Sequence, residues 1–60
     1  MSNIERRYCL VRLRLEDNVF LSVDAIYTDY KVATNAERWY NAYVASPGEF
    51  YTIWPVVMET

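Results

Sequence analysis

Two stretches of period-two alternation open the chain. From Tyr8 to Leu15, Cys9, Val11, Leu13 and Leu15 fall on one side, and Tyr8, Leu10, Arg12 and Arg14 fall on the other. This is the pattern of a half-buried strand. Residues Met1 to Glu5 read as a loose end or as the start of that strand. Glu16-Asp17-Asn18 reads as a three-residue turn, whose last residue takes the left-handed conformation that Asn tolerates. Val19 to Ile26 then alternates again, with Val19, Leu21, Val23 and Ala25 on one side and Phe20, Ser22, Asp24 and Ile26 on the other. Pairing Leu15 with Val19, Leu13 with Leu21, Val11 with Val23 and Cys9 with Ala25 keeps every apolar partner on one face. A one-residue slip would turn one strand's set to water. The same register brings Arg12 and Arg14 near Asp24 and Ser22 on the opposite face, a surface charge pairing of small worth.

The period changes in TNAERWYNAYVASPG, from Thr34 to Gly48. Ala36, Trp39, Tyr40, Tyr43 and Val44 recur at helical spacing and form an apolar stripe. Asn35, Glu37, Arg38 and Asn41 are expected to face water. Thr34 and Glu37 have the spacing of a capping box, and Ser46-Pro47-Gly48 is a stop signal. The spacing predicts a helix over 35–45, with Trp39 and Tyr43 in the core. Between the second strand and this helix, the alternation loses phase near Thr28-Asp29, which suggests a bulge or bend. Residues 27–33 read as strand or extended loop, with a longer helix capped by Thr28 as the alternative. Glu49 to Met58 predicts a last strand whose two faces are both apolar. Pro55 cannot donate to a ladder, which places it at an edge or with its nitrogen outward.

The order strand–strand–helix–strand implies a single α+β domain over 1–60. The sheet is antiparallel or mixed, three-stranded, in the order 2-1-3, with the helix on one face. The helix is expected to cover Cys9, Val11, Leu13, Leu21 and Val23. The face with Tyr8, Leu10, Phe20, Ile26, Arg12 and Arg14 would then stay open.

Composition narrows the chemistry. The chain has 60 residues, no histidine, one cysteine and one glycine, and a net charge of −2. A chain this short has little core and needs large side chains or a partner subunit. One thiol makes neither an internal disulfide nor a structural zinc site. A single glycine excludes phosphate-binding glycine loops, and nucleophile–base sets built on His are impossible. Glu16 with Asp17, and Asp24 with Asp29, are the remaining acidic pairs. Glu16-Asp17 lies in a turn, where carboxylates serve solubility, and the missing partner groups argue against a catalytic or metal role for either pair. Cys9 lies beside basic residues that could lower a thiol pKa, but its phase reads as a small buried hydrophobe. No catalytic residue, metal or cofactor is expected. No apolar run approaches a membrane span and no stretch reads as a basic-then-apolar leader, so a cytoplasmic location is expected. Arg6, Arg7, Arg12 and Arg14 make the first quarter basic and leave the rest acidic.

The open face admits three readings. Rings alternating with arginine could stack bases, although the negative net charge makes nucleic acid an unlikely partner. Arg stems could simply lie over apolar neighbours. Or the face could be a protein interface, where Tyr, Trp and Arg are enriched anchors. The interface is favoured, with Arg12, Arg14, Phe20, Tyr51 and Trp54 as candidate contacts.

VATNAERWYNAYVASPGEFYTIWPVV, Val32 to Val57, resembles the small RNA polymerase inhibitors encoded by short-tailed lytic coliphages. The shared features are an acidic helix start, an aromatic before Tyr-Val at the helix end, a Pro/Gly turn, Phe50, and a proline late in the last strand. The resemblance implies a non-enzymatic inhibitor that docks on a bacterial host complex, either RNA polymerase or a defence complex such as CRISPR. The family's last strand carries arginines that grip polymerase. The corresponding positions here hold Thr52, Ile53 and Trp54, so no binding residue carries over. A homodimer that closes the open face is the other expectation, and a single-strand nucleic-acid binder the third.

Overall fold

The computed structural model describes the backbone of residues 4–59 and the side chains of residues 4–58. The chain order is β1 (Ile4–Arg14), β2 (Phe20–Tyr27), α1 (Tyr30–Tyr43) and β3 (Glu49–Glu59). The three strands form one antiparallel sheet in the order β2-β1-β3, as the alternation predicts. β1 begins at Ile4, so the ambiguous N-terminal stretch is strand from there on, and Met1–Asn3 lie outside the described residues.

The β1–β2 hairpin turns where expected. Asn18 has φ 58°, and Arg14 and Val19 close the turn with a 2.9 Å bond from the Arg14 N–H to the Val19 carbonyl. The register agrees with expectation at Val11↔Val23 and departs from it on both sides. The pairing steps from Leu10↔Ala25 to Val11↔Val23 and from Arg12↔Ser22 to Leu13↔Phe20. β2 therefore carries an extra residue twice, at Asp24 and at Leu21. Each extra residue reverses the phase of the side chains beyond it. This brings Phe20 and Ile26 onto the same face as Val11 and Val23.

α1 starts earlier than the capping-box reading places it. Asp29 is the N-cap, and its carboxylate accepts from the N–H groups of Lys31 at 2.8 Å and Val32 at 3.3 Å. Thr34 lies inside the helix and donates its hydroxyl to the Lys31 carbonyl at 3.0 Å. An Asp accepting two orphan donors, in extended backbone geometry, outcompetes a Thr five residues further along. Residues 30–34 are thus helix rather than strand or loop. The far end of α1 leads to Pro47-Gly48, a turn closed by the Glu49 N–H on the Ser46 carbonyl at 3.0 Å. Gly48 has φ 84° there, as the third position of a type II turn requires.

The helix lies on the opposite face of the sheet from the expected one. Tyr30 packs edge-on against Tyr8 with centroids 5.3 Å apart, and Tyr40 packs against Tyr51 at 5.1 Å. Tyr8, Leu10 and Arg12 therefore face α1, together with their partners Ala25, Ser22, Tyr27, Tyr51 and Ile53. Ala33 is fully buried, with Ala36 and Tyr40 half-buried beside it. The helix meets the tyrosine-rich sheet surface through Tyr30 and Tyr40, with the small Ala33 and Ala36 between them. The larger Trp39 and Tyr43 are turned to the flank, 55% and 76% exposed. Their expected place in the core is overturned by this rotation.

The molecule is long for its size. Its radius of gyration is 12.7 Å, against the ~10 Å of a compact chain of this length. The cause is visible in the pairing. β2 ends with Tyr27 opposite Tyr8, whereas β1 and β3 continue to Ile4↔Glu59 as a two-stranded ribbon.

Candidate interaction surface

Strand pairing places three rows of side chains on the face away from the helix. They are Cys9–Ile26–Trp54, Val11–Val23–Thr52 and Leu13–Phe20–Phe50, each centred on β1. None of these nine side chains is charged, and Thr52 has the only hydroxyl among them. Phe20 and Trp54 come from the two outer strands and stack on each other with centroids 5.7 Å apart and ring planes 26° apart. Strands β2 and β3 flank β1, so this pair spans the central strand, and Val11 between them has no exposed surface. Around the stacked rings, Val23, Ile26, Val56 and Met58 stay exposed. Cys9 is half-buried on this face, at the edge of the ring pair rather than under the helix. Toward the ribbon the face ends at Arg7 and Glu5, which neutralise each other through a 2.7 Å bond.

The helix-covered face carries the polar groups. Ser22 Oγ accepts from Arg12 Nε at 3.2 Å and donates to Asp24 Oδ1. The Tyr51 hydroxyl donates to Asp24 Oδ2 at 2.8 Å, and Arg12 Nη1 reaches Glu49 Oε1 at 3.4 Å. This network ties all three strands together on the face that α1 packs against. The Ser22 hydrogen bond holds the Asp24 carboxyl below its ordinary pKa, helped by the Tyr51 hydroxyl and the Arg12 charge. Burial, reinforced by Asp24, raises the Tyr51 hydroxyl above its own. Asn41, expected in water, extends its amide to the free edge of β3. Its Nδ2 donates to the Tyr51 carbonyl at 2.9 Å and its Oδ1 accepts the Tyr51 N–H at 2.7 Å. One side chain thus stands in for a neighbouring strand. The N–H and C=O groups of Tyr51 point outward, so those of Pro55, four residues along the strand, do too. The proline nitrogen faces the open edge, as its presence in a strand requires.

The five candidate contacts do not form one cluster. Phe20 and Trp54 stand together on the bare face, 47% and 44% exposed. Tyr51 is buried under the helix, and Arg12 is tied into the network beside it. Arg14 is held by Asp17 through bonds of 2.9 and 2.6 Å at the hairpin end. The alternation of rings with arginines is therefore split between two faces of the sheet, and the bare face has rings without phosphate-binding cations at its centre. Val23 and Ile26 belong to the bare face, and the straight-strand reading separates them. Only a bulge in β2 unites them, and Asp24 and Leu21 carry no residue signal for one.

Among the described residues, no helix is long and apolar enough to cross a membrane. No protein-family model, curated protein or solved structure matches the chain.

Proposed function

We propose that the chain is a non-enzymatic protein-interaction module that acts by laying its bare sheet face on a bacterial host assembly, in the manner of a phage-type inhibitor. The observation that carries this reading is the inversion of the sheet. The helix packs on the face that carries the polar network, while the uncharged face turned away from it exposes Phe20, Val23, Ile26 and Trp54, with the Phe–Trp pair stacked across its middle. Contiguous apolar surface of this kind on a small protein marks a contact site. Aromatic anchors at the centre of a patch are where binding energy concentrates. The resemblance of Val32–Val57 to polymerase inhibitors supports RNA polymerase as the first target, with a defence complex such as CRISPR as the second. The contacts assigned to the face are Phe20, Trp54, Val23 and Ile26, in place of Arg12, Arg14 and Tyr51.

The test uses the purified chain with purified bacterial RNA polymerase and, separately, a purified CRISPR effector complex. One of the two should retain the chain and lose activity, in transcription or in target cleavage. Trp54→Ala should weaken retention by more than ~1 kcal/mol, the loss typical of a central aromatic anchor. Retention by neither assembly overturns the proposed target class.

A further inference from the structure

We infer that the free chain is a homodimer closed by its bare sheet face, with each copy covering the Phe20–Trp54 pair of the other. The inference rests on the reading of this face as a docking surface and names its occupant before a host protein is met. Three observations single out a second copy.

The first is charge. The nine central positions carry none, and the only ions at the end of the face, Glu5 and Arg7, are already paired. Two copies meet about a two-fold axis without like-charge repulsion and without stranding a buried ion. Homodimer interfaces are the more apolar class.

The second is shape and area. The face runs about 27 Å along β1 from Glu5 to Leu13, ~14 Å wide where three strands pair from Cys9 to Leu13 and ~10 Å wide over the two-stranded stretch beyond. Sheets pack face to face at ~10 Å with their strands nearly aligned. The projected footprint is roughly 330 Å² per copy, and the accessible surface of the ridged side chains and upright rings exceeds that projection, so the pair reaches the ~1,000 Å² lower limit of a specific interface only with the whole face engaged.

The third is the thin core. Only Leu10, Val11, Leu13, Ala33 and Tyr51 are buried among the described residues. Val11 and Leu13 lie on the bare face, so much of the core depends on rings that are themselves half in water. A second sheet completes that core in the way a small chain without disulfide or metal requires.

Target binding and self-association then compete for the same rings, so apparent affinity for the host assembly falls as the chain's own concentration rises. The experiment is sedimentation equilibrium of the full chain over about a hundred-fold concentration range. Wild type should sediment at twice the 7.1 kDa chain mass at the top of the range and approach the chain mass on dilution. Ile26→Glu should weaken association by at least about tenfold while far-UV circular dichroism keeps the wild-type shape. Trp39→Phe provides a reading that needs no charge in the sheet, because it leaves Trp54 as the only tryptophan. Its emission should shift to the red on dilution, with the sedimentation midpoint. A chain that stays at the 7.1 kDa monomer mass throughout, with constant emission, overturns the inference. So does a dimer that survives both Ile26→Glu and Val23→Glu. A monomer that still binds polymerase overturns the dimer alone. A dimer that binds neither host assembly overturns the host-docking reading alone.

Discussion

Leu10 and Val11 are neighbours on β1, both without exposed surface, and they are sealed by different means. Leu10 points to the helix and is covered by elements that the chain supplies in full: α1, Ile53 and the tyrosines around them. Val11 points the other way, flanked by Val23 and Thr52 and beside the Phe20–Trp54 pair, each ring nearly half exposed. One face of the sheet is finished by the chain and the other is left with a lid one ring thick. The polar network lies under the finished face, where Arg12, Ser22, Asp24 and Tyr51 satisfy one another. Polar groups partly withdrawn from water are held by fixed partners within the same molecule. An uncharged apolar face carries no such demand, and can wait for its cover.

The sharpest way to break this contrast is to truncate one residue on each face. Leu10→Ala should cost about 2–5 kcal/mol, a large part of the roughly 3–9 kcal/mol available to a chain of this length. Urea unfolding should show that loss equally at all protein concentrations. Phe20→Ala should show most of its loss at high concentration, where the second copy contributes. A concentration-independent loss for Phe20→Ala as large as that for Leu10→Ala would mean that both faces are finished within one chain.

The next largest effect tests how the helix reaches the finished face. Asp29→Ala should cost about 0.5–2 kcal/mol, the range for a lost N-cap, whereas Thr34→Ala should stay within about 0.5 kcal/mol. Thermal unfolding of the pair ranks them, and the reverse order would move the helix start to Asn35.

Tyr51→Phe removes one hydroxyl from the polar network and should cost about 0.5–1.5 kcal/mol. Titration separates its two ends. The Asp24 pKa is lowered in the folded chain, so its contribution is present above the unfolded value near 4 and is lost as pH falls through the folded one. The Tyr51 pKa is raised, so its contribution is present below about 10 and is lost as pH climbs through the folded value. Asp24→Asn should flatten the acid limb of stability against pH, and Tyr51→Phe the alkaline limb. Unchanged limbs in both variants would detach the network from folding.

The strand order, the Asn18 turn, the Pro47-Gly48 turn and the outward nitrogen of Pro55 are all legible in the sequence, because each follows from local chemistry within a few residues. The side of the sheet that receives the helix is not. Cys9, Val11 and Leu13 form the more apolar set on β1, and the rule that the most apolar face turns inward assigns them to α1. That rule assumes that the cover lies in the same chain. Here the purely apolar set is left outside, and the mixed set, with its internal hydrogen bonds, is enclosed. The two bulges in β2 hid this further. A straight strand parts Phe20 and Ile26 from Val23, and no glycine marks where the phase slips. Asn41 was missed for a related reason: an amide on a helix reads as solvent-facing until the edge of β3 is beside it.

The smallest expected effect is the most direct check on the helix's rotation. Trp39 and Tyr43 pack on each other at 5.5 Å and Trp39 reaches Tyr40 at 5.6 Å; neither ring enters the buried core. Trp39→Ala and Tyr43→Ala should therefore each change stability by less than about 0.5 kcal/mol, although truncating a core Trp costs 3–5 kcal/mol as a rule of thumb. Helical spacing alone makes these two rings the natural core stripe, so the two readings differ by several-fold in one chemical denaturation experiment. Ala33→Leu gives the complementary measurement. Ala33 has no exposed surface, and a larger side chain there must push α1 from the sheet, at a cost of about 1–3 kcal/mol. A tolerant Ala33 together with a costly Trp39 would rotate the helix back and bring the aromatic stripe under it.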